Sequence, residues 1–183
     1  MKNGWLIGAL SALVLGGMPA IGAAQGTAPT LVRSQANIAM PERGAVTKLP
    51  IPRFVSMKAA EGNVRRGPSL SHRIDWVFKR RDMPLEITGE YGHWRRVRDR
   101  DGAGGWVHYS LLSGTRTVIV QQDMLDLHMR PDAKTPVNAR LETGVVARLG
   151  ECGPEWCRLS SGGFKGWAPK SALWGVKPDE LRE

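Results

Sequence analysis

Four histidines and two cysteines are the side chains of this 183-residue chain best suited to nucleophilic or metal chemistry, and their spacing argues against both. Nucleophilic catalysis needs a Ser or Cys beside a His that a carboxylate orients. His72, His93, His108 and His128 are scattered, with no His-x-x-x-His pair and no flanking Glu motif. His108 adjoins Tyr109 and Ser110, a setting read here as a half-buried structural histidine rather than a general base. Gly102-Ala-Gly-Gly105 is glycine-rich, but it joins two expected antiparallel strands, and a phosphate loop needs a strand-to-helix passage. Carboxylates for a glycosidase pair are present, yet the compact units described below offer no deep cleft to hold a sugar between them. No catalytic residue, metal or cofactor is expected.

Arginines next to aromatic residues give a better signal, and it is one of binding. The basic excess gathers in Arg65-Arg66, in Lys79-Arg80-Arg81, and in Arg95-Arg96 with Arg98 and Arg100. On a regular strand, alternation sends Arg96 and Arg98 to one face and Arg95 with Val97 to the other. Guanidinium forks suit carboxylates and phosphates and stack on flat rings. Arg66, Trp76, Tyr91, Arg96 and Tyr109 are the candidate ligand-binding residues, taken together as one shallow basic-aromatic groove. The competing reading makes the arginines gatekeepers on exposed strand edges.

The elements that position these residues follow from composition and patterning. Gly and Pro together number 34, which implies many turns, and the formal net charge is +9. Residues 1–24 read as a secretory signal peptide: Lys2, an apolar run from Trp5 to about Leu15, then small residues suited to cleavage near Ala24. Periplasmic or secreted placement is therefore expected, with an uncleaved anchor as the alternative. Outside the cytoplasm a basic surface no longer points to nucleic acid, and no nucleic-acid partner is expected. Membrane contact would come only through an uncleaved signal or through residues 25–53, an aperiodic, mildly basic stretch punctuated by Pro29, Pro41, Pro50 and Pro52 and read as a flexible linker. In an oxidising compartment Cys152 and Cys157, which flank a Gly153-Pro154 turn between alternating runs, are expected to form a disulfide across a hairpin. Their C-x4-C spacing does not match a redox pair.

From Phe54 the chain repeats itself, over 54–114 and 118–176. A turn-rich stretch (Asn63-Val-Arg-Arg-Gly-Pro-Ser69, then Leu127-His-Met-Arg-Pro-Asp-Ala133) leads to a strand-like one, Met83–Thr88 and Val145–Gly150. A Trp follows, then a Gly-Trp pair. Trp94 and Trp156 are 62 residues apart, and Trp106 and Trp167 are 61 apart. Such a period, with apolar residues that alternate (Leu85 and Ile87; Ala147 and Leu149), predicts an all-β fold of two tandem small barrels. The four repeating tryptophans are expected to pin the two cores, and the short connector Thr115-Arg116-Thr117 to hold the units in a fixed relation.

The segment Asn63–Ser69, then Trp94, then Gly105-Trp-Val-His-Tyr-Ser-Leu111, resembles the bacterial SH3 (SH3b) family. The second unit resembles it more weakly at its start, where Met129 and Pro131 replace the Arg-Gly pair, and well at Trp156 and Gly166-Trp-Ala-Pro-Lys-Ser171. The whole looks like the exported tandem-SH3 proteins of Gram-negative bacteria. The resemblance implies small barrels of five or six strands, without a catalytic site, that hold cell-wall peptide or peptidoglycan. Pro169 matches a position of the eukaryotic SH3 groove that His108 occupies in the first unit, and the paired tyrosines of that groove are not evident, which argues against polyproline ligands. Two alternatives stay open: an adaptor that docks an envelope enzyme or secretion component through a sheet edge, and anionic-lipid binding through the basic linker.

Overall fold

The computed structural model describes residues 42–183; the expected signal segment 1–24 and the linker residues 25–41 lie outside the described residues. The first half forms seven strands: β1 (Arg53–Met57), β2 (Gly62–Arg65), β3 (Ile74–Phe78), β4 (Pro84–Tyr91), β5 (Trp94–Arg98), β6 (Gly104–His108) and β7 (Leu112–Ser113). The second half repeats them as β8 (Thr117–Val120), β9 (Leu125–His128), β10 (Val137–Leu141), β11 (Val146–Cys152), β12 (Trp156–Ser161), β13 (Phe164–Pro169) and β14 (Leu173–Trp174). A 3-10 turn precedes the last strand of each half, and no α-helix occurs among the described residues. Sheet order is β3-β2-β6-β5-β4-β1-β7 in the first half, and the second half has the same order, from β10 to β14. Every ladder is antiparallel, and the all-β reading with two tandem units holds.

Two expectations need correction. The sheets are not closed barrels, because the end strands β3 and β7 (and β10 and β14) do not pair with one another. A two-residue closing strand presents too few backbone groups for a further ladder. Nor do the tryptophans make the cores. Only Trp94 among the four is buried, at 9% exposure, while Trp106, Trp156 and Trp167 are half-buried. The first core is Met57, Val64, Phe78, Leu85, Ile87, Val97 and Val107 with Ile51, and the second is built on Val118, Leu127, Leu149 and Leu159. The cause is parity: Val97 and Val107 point inward, so their neighbours Arg96 and Trp106 point outward. Cys152 and Cys157 are cross-strand partners on β11 and β12 and are disulfide-bonded.

Residues 42–53 also depart from the linker reading. They fold back on the first sheet, with Ile51 in the core and a bridge between Arg43 and Pro50. The anchor is Glu90 on β4, whose side chain is fully buried. Its carboxylate accepts from the Thr47 amide at 2.7 Å and the Thr47 hydroxyl at 2.6 Å, from the Val46 amide at 3.0 Å, and from Arg53 at 2.6 Å. Burial alone would raise this carboxyl, but the Thr47 and Arg53 hydrogen bonds outweigh it and hold the pKa at about 2. A proline-rich, aperiodic stretch looks free in sequence because its partner is a single acid more than forty residues away.

The two units meet at a clasp. Arg116 in the connector donates to Glu180 at 2.6 and 3.0 Å and to the Gly175 carbonyl at 2.7 Å. Its guanidinium lies over the Phe54 ring of β1, which meets Trp174 of β14 edge-on at 5.2 Å. Burial disfavours the Glu180 carboxylate, but the Arg116 hydrogen bonds hold its carboxyl below the usual range. Thr117 donates to the Asp82 carbonyl and Ser56 to the Thr115 carbonyl, both near 2.8 Å. Gly175 sits at φ +113°, and a Cβ there would lie 2.8 Å from the Thr117 carbonyl oxygen, so the clasp requires glycine. The tail beyond the repeats is tied down as well. Buried Lys170 donates to the Pro178 and Glu180 carbonyls, and Arg182 bridges Cys152.

Two outcomes follow from these anchors. Glu90 ionises more readily folded than unfolded, so its contribution is full above pH ~4.5 and is lost as pH falls from there toward ~2. Glu90→Gln is expected to cost about 3 kcal/mol in urea unfolding at pH 7, by leaving half-buried Arg53 and buried Arg95 without their acid. The gap to the parent chain should narrow at pH 3. Arg116→Ala is expected to uncouple the units, turning one calorimetric transition into two with the first at lower temperature. A single unchanged transition would show that the clasp carries no coupling.

Candidate functional site

The outer face of β5 and β6 carries the site. Cross-strand partners share a face, and the register pairs Trp94 with His108, Arg96 with Trp106 and Arg98 with Gly104. Trp106 is also the partner of Arg65 on β2. Three strands therefore place Arg65, Trp106 and Arg96 in one row across the sheet. Arg96 faces Gly89 on β4, where the missing side chain leaves the row open at that end. The glycine before the tryptophan has its own cause: a Cβ at Gly105 would lie 2.7 Å from the Arg65 carbonyl oxygen, so only glycine lets β6 approach β2.

The resulting groove has a volume of 610 Å³ and is bounded by Arg65, Arg66, Asp75, Thr88, Arg96, Arg98, Gly104 and Trp106. Most of its guanidinium groups are committed. Arg65 donates to the Leu70 and His72 carbonyls at 2.9 and 2.6 Å. Arg98 pairs with Glu86. Arg66 and Arg73 share Asp75, at 3.4 and 2.8 Å, and Arg73 first, then Arg66, holds that carboxyl below its usual range. The exposed Arg96 side chain has no hydrogen-bond or ion-pair partner among the described residues. The groove thus offers one uncommitted guanidinium beside the half-buried Trp106 ring, with Arg66, exposed and held at 3.4 Å by its acid, at the rim. It suits a ligand carrying a carboxylate and a flat or apolar portion that lies on the indole.

Of the five residues read from sequence, the structure brings Arg66 and Arg96 together and separates the rest. Trp76 lies on β3 and is 39% exposed. Tyr91 ends β4 opposite Trp94, beside the Gly92-His93 turn. Tyr109 opens the 3-10 turn and packs with His93 and His108, at ring distances of 5.6 and 4.9 Å, with Arg95 over its ring. The single five-residue groove is corrected to that extent. Residues close in sequence fall on different strands and opposite parities, and the register separates them. His108 does not pair with a carboxylate. Its Nδ1 contacts the Ser110 hydroxyl at 2.7 Å and accepts from the Ser110 amide, capping the 3-10 turn.

Asp75 was not singled out in sequence, Arg65 was read only as part of a basic cluster and Trp106 only as a core residue, and the repetition of the row was not read. In the second unit Arg158 is the cross-strand partner of Trp167, which faces His128 on β9, and Gly150 lies against Arg158. The signal was a Trp, an Arg two residues on, then a Gly-Trp pair, present in both halves as Trp94, Arg96, Trp106 and Trp156, Arg158, Trp167. The second face differs in chemistry. A 350 Å³ hollow lies along Arg148, Arg158, Lys165 and Arg182, and a 490 Å³ one along Pro131, Pro154, Trp156 and Trp167.

The chain is similar to "Structure of NlpC2 from Trichomonas vaginalis" (13% identity, TM-score 0.32, 67% of this chain and 48% of that one). It is similar to "Structure of NlpC1 from Trichomonas vaginalis" at the same identity and TM-score, over 72% of this chain and 48% of that one. It spans about half the length of those structures. No curated protein matches it in sequence. The family model for the bacterial SH3 domain matches twice, over residues 58–114 and 121–175, so the chain belongs to the bacterial SH3 domain family and carries that domain in tandem.

Proposed function

We propose that this protein is an exported, non-catalytic binding module that holds an acidic, extended ligand, the stem peptide of peptidoglycan, in the outer groove of its first unit. Bacterial SH3 domains are typically binding modules. The observation that carries the finer reading is the uncommitted Arg96 guanidinium beside Trp106 in a 610 Å³ groove. A peptide carboxylate meets the fork, and the adjoining aliphatic part lies on the indole. The first unit is also the more basic, with eleven Lys and Arg against seven acids over 54–114. That excess draws in an anionic ligand from beyond contact distance, and salt screens it. Export is read from residues 1–24, and it brings the module to the compartment where that ligand lies.

Retention on purified sacculi tests this reading. The chain should bind at about 20 mM salt and be released near 0.5 M. Arg96→Ala should weaken retention on the order of tenfold or more, as expected for a charge-assisted hydrogen bond. Arg140→Ala, on β10, should leave it unchanged. No retention at low salt overturns the wall reading; retention equal in Arg96→Ala and the parent moves the site elsewhere.

A further inference from the structure

β3 is an end strand of the first sheet, hydrogen-bonded on one side to β2. Among the described residues no loop, side chain or second strand hydrogen-bonds the backbone of Ile74–Phe78 on its other side. Proteins ordinarily blunt such an edge with charge, proline or a covering segment, because a row of free N–H and C=O groups is a template for another strand. β3 carries a bulge beside Arg65, yet no proline or covering segment among the described residues protects it, and its exposed side chains are largely apolar. Ile74, Trp76 and Val77 are 41%, 39% and 38% exposed, and Leu70 in the preceding loop is 76% exposed. The one charge inside the strand, Asp75, is taken up by Arg66 and Arg73.

The second unit supplies the comparison. β10 occupies the same end position in an otherwise equivalent sheet. There Asn138 donates to the Lys165 carbonyl at 2.7 Å, Arg140 pairs with Asp126 at 2.7 Å, and Leu141 is buried, leaving Val137 as its one exposed large apolar residue. One fold thus carries two edges in matched positions, one made polar and the other left apolar and aromatic.

The charges at the ends of β3 indicate what fits it. Arg73 precedes the strand and Lys79, Arg80 and Arg81 follow it, all exposed. A second copy pairing antiparallel through β3 would set Arg73 of each chain against the Lys79–Arg81 run of the other, which like-charge repulsion disfavours. We propose that β3 is a docking edge for an extended segment of a partner protein in which apolar and acidic residues alternate. The segment adds an eighth strand to the first sheet. Its main chain pairs with β3. Trp76 shares a face with Val64, whereas Ile74 and Val77 share the other with Arg65 and Asn63, so the apolar side chains of the segment lie against Trp76 and its acids reach the flanking cations on the opposite face. This edge adjoins the rim of the Arg96–Trp106 groove at Asp75 but does not use Arg96 or Trp106, so it stands whether or not that groove binds wall peptide.

The test is amide hydrogen exchange by NMR on the full chain, with capped peptides of about nine residues, longer than a typical strand so as to span the edge. A peptide alternating valine and glutamate should slow exchange at β3 amides by about tenfold or more. One alternating valine and lysine should not. Trp76→Lys with Ile74→Lys should abolish the protection, and Arg96→Ala should retain it. The proposal is overturned by absence of protection from the Val/Glu peptide in the parent chain, a measurement that needs no variant. It is equally overturned by equal protection from the Val/Lys peptide, by protection confined to β10, or by β3 protection without peptide that rises with chain concentration, which would mark self-pairing.

Discussion

Period-two alternation along β5 and β6 is the constraint on which the rest depends. A strand cannot bury Val97 and Val107 without turning Arg96 and Trp106 outward, and the core demands the former. The same rule assigns Arg95 to the interior, where it is 7% exposed, lies 3.6 Å from Glu90 and covers Tyr109. Two adjacent arginines thereby acquire opposite roles: Arg95 is structural, and Arg96 is free to meet a ligand. A register slip of one residue would exchange them and remove both core and groove.

Buried polar anchors give the small units definition that size alone does not. A unit of this length buries a modest fraction of its surface, and its stability margin is narrow. Each half therefore takes in a flanking segment. Residues 42–53 close on Glu90 in the first, and residues 175–183 close on Lys170, Arg116 and Cys152 in the second. The carboxylate of Glu90, the ammonium of Lys170 and the guanidinium of Arg116 each meet several partners, as a charge in a low-dielectric setting must. Arg116 also ties the two halves together, so the outer faces of β5–β6 and β12–β13 are held by one framework.

Parts of this were legible in the residues. The all-β fold, the repeat and its Trp–Trp spacing follow from short-range alternation and turn chemistry, which depend on neighbours in sequence. The disulfide follows from two cysteines beside one turn. Arg66 and Arg96 were singled out as candidate binding residues from charge clustering, and the sheet places both on one groove. Trp76, Tyr91 and Tyr109 were grouped with them on residue type, and the sheet separated them, because residue type carries no information about which strand lies next to which. The role of the tryptophans was also misjudged: a fixed spacing shows that a position matters, not which side of the sheet it faces. Trp106 and Trp167 recur because each crosses its sheet beside a glycine that lets two backbones approach, with an arginine as cross-strand neighbour.

Sequence by itself determined the local conformations: where strands run, where glycine turns the chain, and which residues alternate toward a core. Only the tertiary structure decided which distant groups meet: Thr47 with Glu90, Phe54 with Trp174, Asp75 with Arg66, and Arg65 with Trp106 beside an unpartnered Arg96. The physical reason is range. Alternation and turn preference act over a few residues, whereas sheet order brings together groups tens of residues apart, and a groove exists only where such strands lie side by side.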